Sequence, residues 1–158
     1  MVEVRTQMHE EVDRLVDSGI TALDNNQLKD AHRLFREAYE LNPSSPHAAS
    51  YYGYTLAMVE DKIHKGIELC IAAIRSSEPD PMFFLNIGLL YLRLNKKREA
   101  VGAFRKGLEI DRSNKKIFQV WNEKLGWRRD PAIKFLPRSN PLNVMIGKFT
   151  YKKSAKKR

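Results

Sequence analysis

Leu85-Asn86-Ile87-Gly88-Leu89-Leu90-Tyr91, followed by Glu99-Ala100-Val101-Gly102-Ala103-Phe104-Arg105-Lys106-Gly107, is the stretch whose reading decides the fold. Both halves carry apolar and small residues at helical spacing. Asn95, which tolerates a left-handed turn, stands between them. Gly88 on the first half and Ala100 on the second allow two antiparallel helices to cross closely. Phe104 is left to fill the space toward the next unit.

The same arrangement occurs twice upstream. Leu15-Val16-Asp17-Ser18-Gly19 precedes Asp30-Ala31-His32-Arg33-Leu34-Phe35-Arg36-Glu37-Ala38 and Leu41-Asn42-Pro43. Ser50-Tyr51-Tyr52-Gly53-Tyr54 precedes Gly66-Ile67-Glu68-Leu69-Cys70-Ile71-Ala72-Ala73 and Ser77-Glu78-Pro79. Gly19 and Gly53 lie 34 residues apart, and Gly53 and Gly88 lie 35 apart. Such a period means stacked helix pairs that bury their apolar faces only against one another. Gly19 is answered by Ala31, Gly53 by Gly66 and Gly88 by Ala100, while Phe35, Cys70 and Phe104 fill the gaps between units.

Punctuation agrees with this register. Ser45-Pro46 and Asp80-Pro81 place a capping side chain before a proline at the first helical position. Asp61 is positioned to cap the helix after it, and Asn25-Asn26 and Asn95 suit left-handed turns. Helices are predicted near 4–24, 28–41, 46–59, 62–76, 81–94 and 97–110. A further one over 115–125 puts Phe118, Trp121 and Leu125 on one face and ends at Gly126. It is expected to seal the last apolar surface, as the end of a repeat array requires.

On these residues the chain resembles a tetratricopeptide-repeat protein over residues 12–125. The signature is Gly19/Ala31/Phe35/Ala38/Pro43, Gly53/Gly66/Cys70/Ala73 and Phe84/Gly88/Tyr91/Ala100/Phe104. Unit two departs by one extra residue, and unit three has Arg112 where the proline usually stands. The resemblance implies an all-α, right-handed α-solenoid over residues 1–126, with repeats at 12–45, 46–80 and 81–114, a capping helix over 115–125 and an irregular basic tail over 127–158.

The resemblance also implies that the first helix of each unit lines a concave groove for a partner segment. Carried over, this gives Val16, Ile20 and Leu23 from unit one. Unit two gives His47, Ser50, Tyr54, Ala57 and Met58, and unit three gives Met82, Leu85, Leu89, Leu92 and Arg93. The family's carboxylate-capturing groove holds a peptide C-terminus with Lys and Asn side chains. Here the corresponding positions are Val16, Ile20 and Tyr51, and only Asn86 matches. The expected role is therefore a scaffold or adaptor that takes apolar side chains of another protein or peptide. Three repeats plus a cap is also the plan of type III secretion translocator chaperones, which usually lack such a basic tail.

Charge is segregated. Residues 1–127 hold 18 Lys and Arg against 18 Asp and Glu, whereas residues 128–158 hold ten basic residues against Asp130 alone, so the tail carries the whole net charge of +9. Within it, Ile133, Phe135, Leu136, Leu142, Met145 and Ile146 are too many apolar residues for a free linker. Residues 127–148 are thus expected to dock, on their own array or by self-association with another copy. Residues 149–158 are expected to be disordered. Lys148, Lys152, Lys153, Lys156, Lys157 and Arg158, interleaved with Phe149 and Tyr151, would suit a nucleic acid or an anionic membrane surface, a less favoured reading than a solvated tail.

No chemistry assembles. His9-Glu10-Glu11-Val12-Asp13 lacks the second histidine of a zinc-protease motif. His32, His47 and His64 stand in separate helices with no evident carboxylate or cysteine partners. Cys70, the single cysteine, sits at a core position. Neither catalytic residues, a metal nor a cofactor is expected. With no signal-peptide pattern at the N-terminus and no run of about 18 apolar residues, the cytoplasm is the default location.

Overall fold

The computed structural model of the protein describes residues 2–76 and 80–125, with residues 2–5 described by backbone alone. The chain divides into two units, Met1–Trp121 and Asn122–Arg158. The first contains α1 (Val2–Asp24), α2 (Leu28–Leu41), α3 (Pro46–Val59), α4 (Ile63–Ser76), α5 (Pro81–Arg93), α6 (Lys97–Ile110) and α7 (Lys115–Val120), after which a π-helical turn runs over Trp121–Leu125. No strand occurs among the described residues. Of the second unit only residues 122–125 are described. Ser77, Glu78, Pro79, Gly126 and the whole tail 127–158, with its expected docking segment and Lys run, lie outside the described residues.

Side-chain caps start α3, α5 and α7. Ser45 Oγ accepts from the Ala48 amide at 3.3 Å, and Asp80 Oδ1 from the Met82 amide at 2.6 Å. Pro46 and Pro81 follow at the first helical position, where no amide is needed. Asn114 Oδ1 caps α7 through the Ile117 amide at 3.1 Å. Asn26 (φ 60) and Asn95 (φ 57) make the left-handed turns inside units one and three. Asp61 does the same in unit two (φ 58), rather than the capping anticipated for it, and its carboxylate instead takes Arg93 Nη2 at 2.7 Å.

The helix pairs close in two ways. In units one and three the ring of Phe35 lies over Gly19 and that of Phe104 over Gly88, so closely that a β-carbon on either glycine would strike the ring. In unit two Cys70 stands in place of the ring and the helices approach further, until Gly53 and Gly66 meet backbone to backbone. Burial pushes the Cys70 thiol up to about 12, which leaves it unreactive as a nucleophile. Rings join successive units. Phe35 stacks on Tyr51 (4.9 Å, 12°), Tyr39 on Tyr52 (5.3 Å), and His47 meets the edge of Phe83 (5.0 Å).

At the C-terminal end of this unit the sealing residue is Ile117, fully buried and set against Gly107. Trp121 on the same face reaches Phe104, with ring centroids 6.2 Å apart. The expected face of Phe118, Trp121 and Leu125 is therefore displaced toward Ile117 and Trp121, and the α-helix ends at Val120 instead of continuing to residue 125.

First helices pack on one another (α1 on α3, α3 on α5), whereas the second helices α2, α4 and α6 make little direct contact among themselves. Closer packing on one side curves a stack toward that side. The first helices therefore occupy the inside of an α-solenoid, and their outward faces form its concave surface.

Candidate partner-binding groove

Of the residues expected to line the concave surface as its apolar floor, Ile20 and Leu23 of α1, Tyr54 and Met58 of α3, and Met82, Leu89 and Leu92 of α5 are all partly exposed, with Arg93 exposed at the end of α5. Five residues expected on this surface lie deeper. Val16, Ser50, Ala57, Leu85 and Asn86 are each at most 5% exposed. Ser50 Oγ accepts from Asn86 Nδ2 at 3.1 Å, a buried bond that pins α3 to α5. This pair shapes the floor from beneath. It also occupies the one side chain that matches a carboxylate-binding pattern.

The rim is acidic along α1. Asp13, Asp17 and Asp24 are all exposed, and the spacings of four and seven residues put them on one helical face. Their charges reach α3. Asp13 and Asp17 act on His47, while Asp17 and Asp24 act on Tyr51, whose hydroxyl is pushed up chiefly by burial. Asp24 is compensated by Lys116 Nζ, which lies 2.8 and 3.1 Å from its two oxygens and so joins α1 to α7. Asp13 and Asp17 form no ion pair among the described residues. At the far end Arg93 is held by Asp61 and by Met58 Sδ at 3.5 Å.

His47 Nε2 lies 3.0 Å from Asp80 Oδ2 at the mouth of α5. The hydrogen bond to Asp80 holds the imidazole above its ordinary 6.5, opposed by partial burial and aided by Asp13 and Asp17. Asp80 is correspondingly held below the usual carboxylate range, first by His47 and then by the Met82 amide. The sign follows. Because the folded-state pKa of His47 is raised, its contribution to stability is complete below 6.5 and fades as pH climbs through the folded value. An NMR titration of the His47 ring should give a midpoint above 6.5. Asp80→Asn, which keeps a competent cap, should bring it down. An unmoved midpoint would mean that Asp13 and Asp17, not Asp80, set it.

Beside this dyad an open cleft of about 350 Å³ lies between α1 and the α2–α3 turn, lined by His9, Asp13, Ser44 and His47 among others. His32 likewise has a carboxylate partner that the sequence did not suggest. Its Nε2 lies 2.9 Å from Glu60 Oε1 and its Nδ1 3.2 Å from Thr55 Oγ1. It is only 7% exposed and ties α2 to α3 and its C-cap, so it serves packing rather than the groove. Among the described residues no group of three or more His, Cys, Asp and Glu side chains could hold a metal ion, and no helix is long and apolar enough to cross a membrane.

The missed rim residues did carry a signal. Asp13, Asp17 and Asp24 follow helical spacing beside the apolar row of Val16, Ile20 and Leu23, so they share the edge of the same face.

Comparison with known proteins agrees with this geometry. Residues 83–114 match the tetratricopeptide repeat family model. No curated protein sequence matches the chain. Among solved structures, the tetratricopeptide-repeat domain of Arabidopsis OM64 superposes with a TM-score of 0.57 at 19% identity, covering 71% of this chain and 92% of that one. The corresponding domain of Sgt2 from Aspergillus fumigatus gives 0.55 at 15% identity over 92% of this chain and 82% of that one. The first such domain of Spaghetti (RPAP3), bound to the HSP90 peptide SRMEEVD, gives 0.56 at 14% identity over 70% and 89%. At these identities the likeness is one of fold.

Proposed function

We propose that this chain, which matches the tetratricopeptide repeat family model over residues 83–114 and shares the fold of such domains, is an adaptor whose concave groove holds a segment of another protein. The observation that carries the reading is the floor of partly exposed Tyr54, Met58, Met82, Leu89 and Leu92 on the inner helices. Apolar side chains left open on one face of a folded unit support an interaction role. Methionine lends it tolerance of partner shape. A solved relative in fold holds a peptide, which supports the same use of the surface. That peptide is acidic, whereas the Lys and Asn set for capturing a terminal carboxylate has no counterpart here beyond the buried Asn86.

A random peptide-display library panned against the full chain tests the proposal. Selected peptides should bind Leu89→Asp and Tyr54→Asp at least about tenfold more weakly, since each change sets a charge in the apolar floor. The variants' circular dichroism should remain helical. Selected peptides that bind both variants as well as the parent would place recognition elsewhere on the chain.

A further inference from the structure

The geometry points to a definite chemistry for the partner: a segment in which apolar residues are interspersed with lysine or arginine. This rests on the groove reading above and adds the charge of the occupant.

Most charged or titratable groups along the groove already have partners. The two basic side chains expected on it, His47 and Arg93, are both engaged. His47 is bound to Asp80 at 3.0 Å, and Arg93 to Asp61 at 2.7 Å. Among the acids Asp80 is taken by His47 and Asp24 by Lys116. Asp13 and Asp17 remain, exposed, one helical turn apart and without an ion pair among the described residues. They follow the helical face of α1 that carries Ile20, and Asp13 lines a cleft together with His47 of α3. An occupant that carried carboxylates past them would meet like charge. One that carried ammonium or guanidinium groups would find two unengaged carboxylates while its apolar residues covered Ile20, Tyr54 and Leu89. Charge of this kind selects among partners more than it adds affinity.

The segregation of charge makes the test discriminating. Residues 1–127 carry no net charge and residues 128–158 carry the whole +9, so neither part attracts a cationic peptide overall and a preference for one points to a local acidic site. Three short peptides, acetylated and amidated, with leucine alternating with lysine, glutamine or glutamate, are titrated by fluorescence anisotropy against the full chain. The lysine peptide should bind about tenfold more tightly than the glutamate peptide, as two exposed ion pairs allow. That ratio should shrink toward one in Asp13→Asn/Asp17→Asn and at high salt. Equal binding of all three peptides, lost in Leu89→Asp, would overturn the charge rule and leave the groove reading standing. A lysine preference unchanged in the double variant would place the cation site elsewhere and also overturn it. Binding of none of the three would count against both.

Discussion

Phe35→Ala is expected to remove about 3–5 kcal/mol of folding free energy, as truncation of a fully buried phenylalanine does when its surroundings cannot collapse. Phe35 has no exposed surface, covers Gly19 and stacks flat on Tyr51 of the next unit. Collapse is obstructed on both sides. Gly19 has no side chain to move into the gap, and Tyr51 is itself buried, 5% exposed, with little room to shift. The loss falls on the joint between units one and two, so it should appear in urea unfolding as a lower midpoint for the array as a whole. Since a domain of this kind has only about 5–15 kcal/mol in hand, a large share of its stability depends on this one ring. A loss below about 1 kcal/mol would mean that the helices close over the cavity.

Gly66→Ala and Gly102→Ala are expected to move stability in opposite directions, although both replace a helical glycine with the better helix former. A β-carbon at Gly66 would strike the Gly53 carbonyl oxygen and come to 3.1 Å from Ala57 Cβ. The obstacle is backbone, which can yield only if α3 and α4 spread. Overpacking of that kind costs about 1–3 kcal/mol and here exceeds the gain of roughly 1 kcal/mol in helix propensity. A β-carbon at Gly102 meets nothing within 4 Å, so the propensity gain stands alone at about 0.5–1 kcal/mol. Paired thermal melts should therefore bracket the parent, with Gly102→Ala above it and Gly66→Ala below. A neutral Gly66→Ala would show that the hairpin of unit two is not in backbone contact.

The helix pairs were legible because small residues at a fixed period have a local cause, and so were the Ser45 and Asp80 caps and the turns at Asn26 and Asn95. Where sequence reading departed, the deciding contact lay far along the chain. Asp61 looked like a cap because it precedes a helix, but Arg93, 32 positions away, takes its carboxylate. His32 looked unpartnered because Glu60 lies 28 residues on. Ile117 and Phe118 are equally apolar in sequence, and only the contact with Gly107 decides that Ile117 enters. For the groove, repeat register names the helix face but not its depth. Ser50 and Asn86 share that face with Tyr54 and Leu89, yet the close approach of α3 to α5 covers the first pair and leaves the second pair partly open.

The contact between Asp24 and Lys116 changes how such an array breathes. Where each unit touches only its neighbours, the two ends fray independently and the stack behaves as a one-dimensional chain of links. Here residues 92 positions apart meet, so the first helix and the capping helix share a catch. Both partners are about half exposed, which keeps the catch weak, on the order of 0–1 kcal/mol and softened further by salt. A catch of that strength shifts the balance between a narrower and a wider arc by no more than about fivefold. A contact this weak can break and re-form without any unit having to unfold.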